Sequence, residues 1–70
     1  MHPLRRARRA ATMTQGELAA LSGIHEQTVR SIEVGRVVHP HPKTLRLLAS
    51  ALHCQPVDIM GPEPEGVTTS

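Results

Sequence analysis

Apolar residues recur at helical spacing along this 70-residue chain. The steps between them predict core-facing stripes, namely Leu4, Ala7 and Ala11; Leu18 and Ala19; Ile24, Val29 and Ile32; and Leu45, Leu48, Ala49 and Leu52. Proline suits the first turn of a helix, so we expect helices to begin near Pro3, Pro42 and Pro56. The pattern predicts an all-α fold.

The segment 14–35 predicts two short helices joined by a tight turn. Thr14 and Glu17 match the S/T-x-x-E capping box, so the second helix opens directly after Thr14. Gly23 allows positive φ in the turn, and with Ala19 it is small enough for the helices to cross closely. On the third helix, five polar residues point away from the apolar stripe. In DNA-binding helix-turn-helix motifs, the side chains that read bases lie on this face. The five residues are Glu26, Gln27, Thr28, Arg30 and Ser31. A plain helical hairpin with a solvated polar face explains the same segment.

These motifs together resemble the Cro/C1-type (XRE family) helix-turn-helix domain of phage repressors and small bacterial transcriptional regulators. The resemblance covers roughly residues 3 to 60 and rests on T-Q-x-E-L-A at 14–19, S-G-I at 22–24, V-x-x-I-E-x-G at 29–35, L-x-x-L-A-x-A-L at 45–52 and P-x-D-I-M at 56–60. It implies a compact five-helix, lambda-repressor-like domain over residues 1–61, with the helix-turn-helix at helices 2 and 3. We expect the tail, residues 62–70, to be disordered because it has no apolar periodicity.

Composition narrows the classes of function. Seventy residues form one small domain, and without Phe, Tyr or Trp its core is aliphatic. A net charge of +2, with every Lys and Arg before residue 50, favours an acidic partner such as nucleic acid. The single cysteine excludes an internal disulfide, and no apolar run approaches the length of a membrane span. We therefore expect a cytoplasmic protein with no membrane partner.

The resemblance implies a role for each polar residue of the helix-turn-helix. Gln15 is expected to contact a DNA phosphate beside the positive end of helix 2. Gln27 suits a bidentate contact with adenine, and Glu26 can accept from cytosine N4. Glu26 lies at the end of helix 3 that enters the groove, where phosphate repels an acidic side chain unless it bonds cytosine or pairs with Arg30. Further expected phosphate contacts are Thr14, Arg9, Arg36 and Lys43.

Arg8 falls among the apolar residues of helix 1 and needs an acidic partner. The acid at the inner edge of the recognition helix is Glu33, and the resembling family often has this pairing. We expect a structural ion pair between Arg8 and Glu33.

Several apolar residues lie where the family pattern usually places polar ones. They form a candidate dimer interface of Val34, Val37, Val38 and Leu47, to which we add Ile59. Scattered surface hydrophobics explain the same residues equally well. If these residues form an interface, we expect the chain to bind an inverted-repeat operator as a homodimer and to act most simply as a repressor. A chain that is a monomer in solution and dimerises only on DNA fits both interpretations. The alternative is an antitoxin-like or adaptor module with a protein partner such as a toxin.

Four residues carry atoms that zinc prefers: His39, His41, His53 and Cys54. Their spacings match no common structural site, so we expect no metal and no cofactor. No set of nucleophile, base and orienting residue is visible, so we do not expect an enzyme.

Overall fold

The computed structural model describes residues 2–60 and contains helices but no strand within them. The helices are α1 (Pro3–Ala10), α2 (Gln15–Ser22), α3 (Glu26–Glu33), α4 (Pro42–Ala51) and α5 (Pro56–Ile59). The predicted all-α class, with the helix-turn-helix at α2 and α3, is confirmed. Among these residues no helix has both the length and the hydrophobicity needed to cross a bilayer. The tail expected at residues 62–70 lies outside the described residues.

The core is aliphatic, and every helix contributes to it. Its buried members are Leu4, Leu18, Val29, Ile32, Leu45, Leu48, Ala49 and Ile59. Helix α2 packs on α3 and α4, while α5 packs on α1 and α4. Burying one leucine or isoleucine side chain contributes about 1.5–3 kcal/mol. The positions of α2 and α3 are therefore fixed by a core that they share with the other helices.

The predicted capping box at the start of α2 is present. Thr14 Oγ1 accepts from the backbone N–H of Glu17 over 3.0 Å, and Glu17 Oε1 accepts from that of Thr14 over 2.8 Å. Gly23 ends the helix with φ of 74°, as expected of the turn. A Cβ atom added there would meet nothing within 4 Å. Gly23 is thus needed for its backbone conformation, and the expectation that its small size lets the helices cross is wrong.

A histidine directly precedes three of the five described helices and caps each of them, which the sequence analysis did not predict. In each case the imidazole Nδ1 accepts from the backbone N–H two residues further on: His2 from Leu4 at 3.0 Å, His25 from Gln27 at 3.1 Å, and His41 from Lys43 at 3.0 Å. A side-chain acceptor at this position satisfies one of the N–H groups that a helix start leaves unpaired. Imidazoles thus cap α1, α3 and α4.

The burial of Ile59 corrects one expectation. Its side chain is 0% exposed, because the short α5 inserts it into the core. A residue without exposed surface cannot contact a second copy, so Ile59 is wrong as a dimer-interface residue. Val37 is half-buried against the same core, whereas Val38 and Leu47 remain exposed.

Candidate nucleic-acid interface

Helix α3 is held at its C-terminal end by a buried ion pair. Arg8 Nε donates to Glu33 Oε2 over 2.7 Å, and Arg8 Nη2 donates to Glu33 Oε1 over 3.1 Å. Arg8 Nη1 also donates to the backbone carbonyl of Met13 over 2.8 Å. The expected Arg8–Glu33 pair is confirmed, and it ties α1 and the α1–α2 turn to α3.

Gln15 joins this pair and links it to the start of α2. Its Nε2 donates to Glu33 Oε1 over 3.1 Å. Burial alone would raise the pKa of Glu33, but the hydrogen bonds from Arg8 and Gln15 outweigh burial and hold that pKa below its ordinary value. One amide hydrogen of Gln15 is therefore used inside the fold, and the second remains for another acceptor.

The outer face of α3 carries the five predicted base-reading residues. Glu26, Gln27 and Arg30 are exposed, while Thr28 and Ser31 are half-buried. None of these five side chains makes a hydrogen bond within residues 2–60. A groove runs along this face, and its lining residues are His25, Glu26, Gln27, Arg30, Ser31, Val34 and Arg36. The face thus offers donors and acceptors that the fold itself does not use.

A second groove lies beside the first turn of α2. Its polar lining comprises Arg5, Arg8, Thr14, Gln15, Arg30 and Glu33. Two of the predicted phosphate contacts, Thr14 and Gln15, are therefore together here, and the exposed Arg5 is with them. Arg36 lies instead in the groove along α3.

The other two predicted phosphate contacts are placed differently. Arg9 and Lys43 are exposed, but neither lines these two grooves. The sequence gives Arg5, like Arg9, a place on helix 1 that is open to solvent or phosphate, and of the two only Arg5 lines the groove beside α2. One turn of helix separates Arg5 from Arg9, and the sequence pattern does not distinguish which of them points toward α2.

Glu26 places its carboxylate over the first turn of α2. Its Oε1 lies 3.7 Å from the position where a Cβ of Gly16 would stand, and Thr14 Oγ1 lies 3.9 Å from the same position. The N-terminal end of a helix attracts negative charge. Among residues 2–60 the sole ion pair is that of Arg8 with Glu33, so Glu26 is not paired with Arg30. The carboxylate therefore adds negative charge near Thr14 at the start of α2, close to two of the predicted phosphate contacts.

The candidate zinc ligands do not converge. In the part of the chain that the structure describes, no three His, Cys, Asp or Glu residues lie close enough to hold a metal ion. His41 uses Nδ1 to cap α4. Cys54 packs against the core, and burial raises the pKa of its thiol.

Two short helices joined by a glycine turn, with an exposed polar second helix, define the class of helix-turn-helix domains. Residues 4–59 match the protein family described as Helix-turn-helix, and the chain belongs to that family, in its Cro/C1-type form.

A curated relative is an uncharacterized HTH-type transcriptional regulator, RghRB, of Bacillus subtilis (strain 168). It is 43% identical to this chain over 49 residues, which are 70% of this chain and 35% of the relative. The chain therefore spans about a third of the length of that relative. No solved structure gives a significant match.

Proposed function

We propose that the chain binds double-stranded DNA sequence-specifically, with α3 in the major groove, and regulates transcription. The observation that carries this proposal is the outer face of α3. Gln27, Arg30 and Ser31 make no side-chain hydrogen bonds within the described residues, although buried residues of the same helix fix its position. Such a face can read base edges without loss of internal contacts.

The groove at the start of α2 supports a phosphate contact in register with α3. Gln15 has a free amide hydrogen, and Arg5 and Arg30 supply positive charge beside it, which offsets the negative charge of Glu26 over the same turn. Contacts of this kind position a protein on the duplex, and base contacts then give specificity. Because Gln15 is also bonded to Glu33, the phosphate contact and the recognition helix are fixed relative to each other.

The regulator is proposed to act as a homodimer on an inverted repeat. Small helix-turn-helix domains read half-sites about one helical turn apart, roughly 34 Å between centres. Val38 and Leu47 are exposed and remain the candidate contact between copies. Occupying a promoter blocks polymerase sterically, so repression in the cytoplasm is the simplest outcome.

Selection of bound duplexes from a randomised DNA pool tests this function. We expect enrichment of an inverted repeat with half-sites about ten base pairs apart. Gln27→Ala and Ser31→Ala should each reduce the preference at one base position, since a good base contact discriminates by about 1–3 kcal/mol. The matched control is Arg46→Ala, an exposed change on α4 outside both grooves. Selection without any enriched sequence would contradict specific reading.

A protein-interaction module is the second candidate function. It is favoured by exposed apolar side chains away from α3, such as Leu21 at 64% and Val57 at 70% exposure. An adaptor or antitoxin-like module of this kind would keep its partner binding when Gln27 and Ser31 are both alanine. A DNA reader would lose its preferred site in the same variant.

A further inference from the structure

The three histidine caps share one chemical requirement. Each Nδ1 must keep a lone pair to accept the backbone N–H, and a protonated imidazole has hydrogen on both nitrogens and accepts nothing. Protonation also places positive charge at the positive end of a helix, where it is unfavourable. Serine, threonine, aspartate and asparagine, the usual residues at this position, do not lose their acceptor near neutral pH. Imidazole caps are therefore sensitive to protons in a range where ordinary caps are not.

The charged surroundings of the three imidazoles do not offset this effect. None of them forms an ion pair within residues 2–60. Burial lowers the pKa of His2 more than the negative charge of Glu33 raises it. His25 shares its groove with Glu26, Arg30 and Arg36.

The third cap, His41, has neighbours of a different kind. Lys43 follows on its own helix and His39 precedes it in the loop, so both titratable neighbours along the chain are bases.

We propose that the three histidine caps act together as a proton-sensitive switch of the fold. Acid that protonates the capping Nδ1 atoms of His2, His25 and His41 removes the hydrogen bonds that cap α1, α3 and α4. The cap of α3 stands directly before the base-reading residues, so the start of the recognition helix loses its anchor as well. This inference concerns folding and does not rest on the proposed function.

The sign follows from proton linkage. A hydrogen bond that Nδ1 can accept only without a proton is lost on protonation, so by linkage the opening of a cap takes up protons. The stabilisation is fully present above the pH at which free histidine titrates and is lost as pH falls below it. Glu33 does not titrate in this window, because its pKa is held below the ordinary glutamate value.

Urea unfolding followed by far-UV circular dichroism, from about pH 8 to about pH 5, tests the switch. One cap changes the unfolding equilibrium constant about fivefold, so the three together should change it on the order of 100-fold. Each change of a capping histidine to serine, which caps at every pH in this range, should remove about a third of the pH dependence on a logarithmic scale. The triple variant His2→Ser, His25→Ser, His41→Ser should remove nearly all of it.

The chain supplies its own controls, because His39 and His53 cap no helix. His39→Ser and His53→Asn should leave the pH dependence unchanged. The proposal is overturned if the triple variant keeps the wild-type pH dependence, or if these controls flatten it as much as the cap variants do. Nitrogen-15 NMR of the imidazoles adds a direct readout. At neutral pH the three capping residues should carry their hydrogen on Nε2, and hydrogen on Nδ1 would contradict the capping role.

Discussion

Replacing Glu33 by glutamine removes the carboxylate that joins three helices. Arg8 and Glu33 are each only 9% exposed, so the guanidinium left behind keeps its charge without a neutralising partner. Arg8 would retain the carbonyl of Met13 as an acceptor, while two of its bonds lose their charged acceptor. Gln15 likewise loses its charged acceptor at the start of α2.

The expected loss is comparable with the whole stability of the domain. Removing one member of a buried ion pair costs about 3–5 kcal/mol. A domain of roughly 60 residues has a total unfolding free energy of about 3–9 kcal/mol. Glu33→Gln should therefore be partly unfolded at room temperature, whereas Gln15→Ala, which keeps the ion pair, should cost about 1 kcal/mol.

A double-mutant cycle in urea, followed by circular dichroism, measures the coupling. The paired replacement Arg8→Met with Glu33→Met leaves no buried charge, so its loss should be far smaller than the sum of the two single losses. Additive losses would refute the assigned coupling, and so would a cost below about 1 kcal/mol for Glu33→Gln. In wild type, the part of stability due to Glu33 is present above the ordinary glutamate pKa and is lost as pH falls through the lowered pKa of the folded state.

Three further predictions concern single side chains. His53 has φ of 55°, a left-handed conformation, so His53→Gly should raise the unfolding free energy by about 1 kcal/mol in urea titrations; no gain would contradict backbone strain there. Glu26→Gln should tighten binding to duplexes of random sequence, because it removes a negative charge near the start of α2. In fluorescence anisotropy with labelled DNA, the slope of log affinity against log salt concentration should steepen by about one contact. An unchanged slope would mean that the carboxylate does not oppose phosphate. Leu47→Glu should abolish dimers in sedimentation, while Leu21→Glu, the same change at a more exposed leucine on α2, should not. Equal effects would argue against the α4 contact.

The helix-turn-helix could be predicted because its signals are local. The capping box at Thr14 and Glu17 fixes one helix start, and Gly23 fixes the turn. Arg8 was placed correctly with Glu33 because a charge on an apolar stripe needs a partner.

The features that were missed depend on tertiary context. Histidine is not among the preferred capping residues, so nothing in the sequence marked the caps at the starts of α1, α3 and α4. Ile59 belongs to a four-residue helix, which is too short to show periodicity, and its burial depends on how α5 packs on α1 and α4. The bond from Gln15 to Glu33 joins residues 18 positions apart, a separation that local patterns do not report.

On α3, the residues that hold the helix in the fold are separate from the residues of its outer face. Val29, Ile32 and Glu33 hold the helix, whereas the side chains of Gln27 and Ser31 make no hydrogen bonds within the described part of the chain. Under the proposed function, exchanging the outer residues should leave folding nearly unchanged while altering the preferred DNA sequence. A combinatorial library at those outer positions would then yield domains with new target sites on an unaltered scaffold.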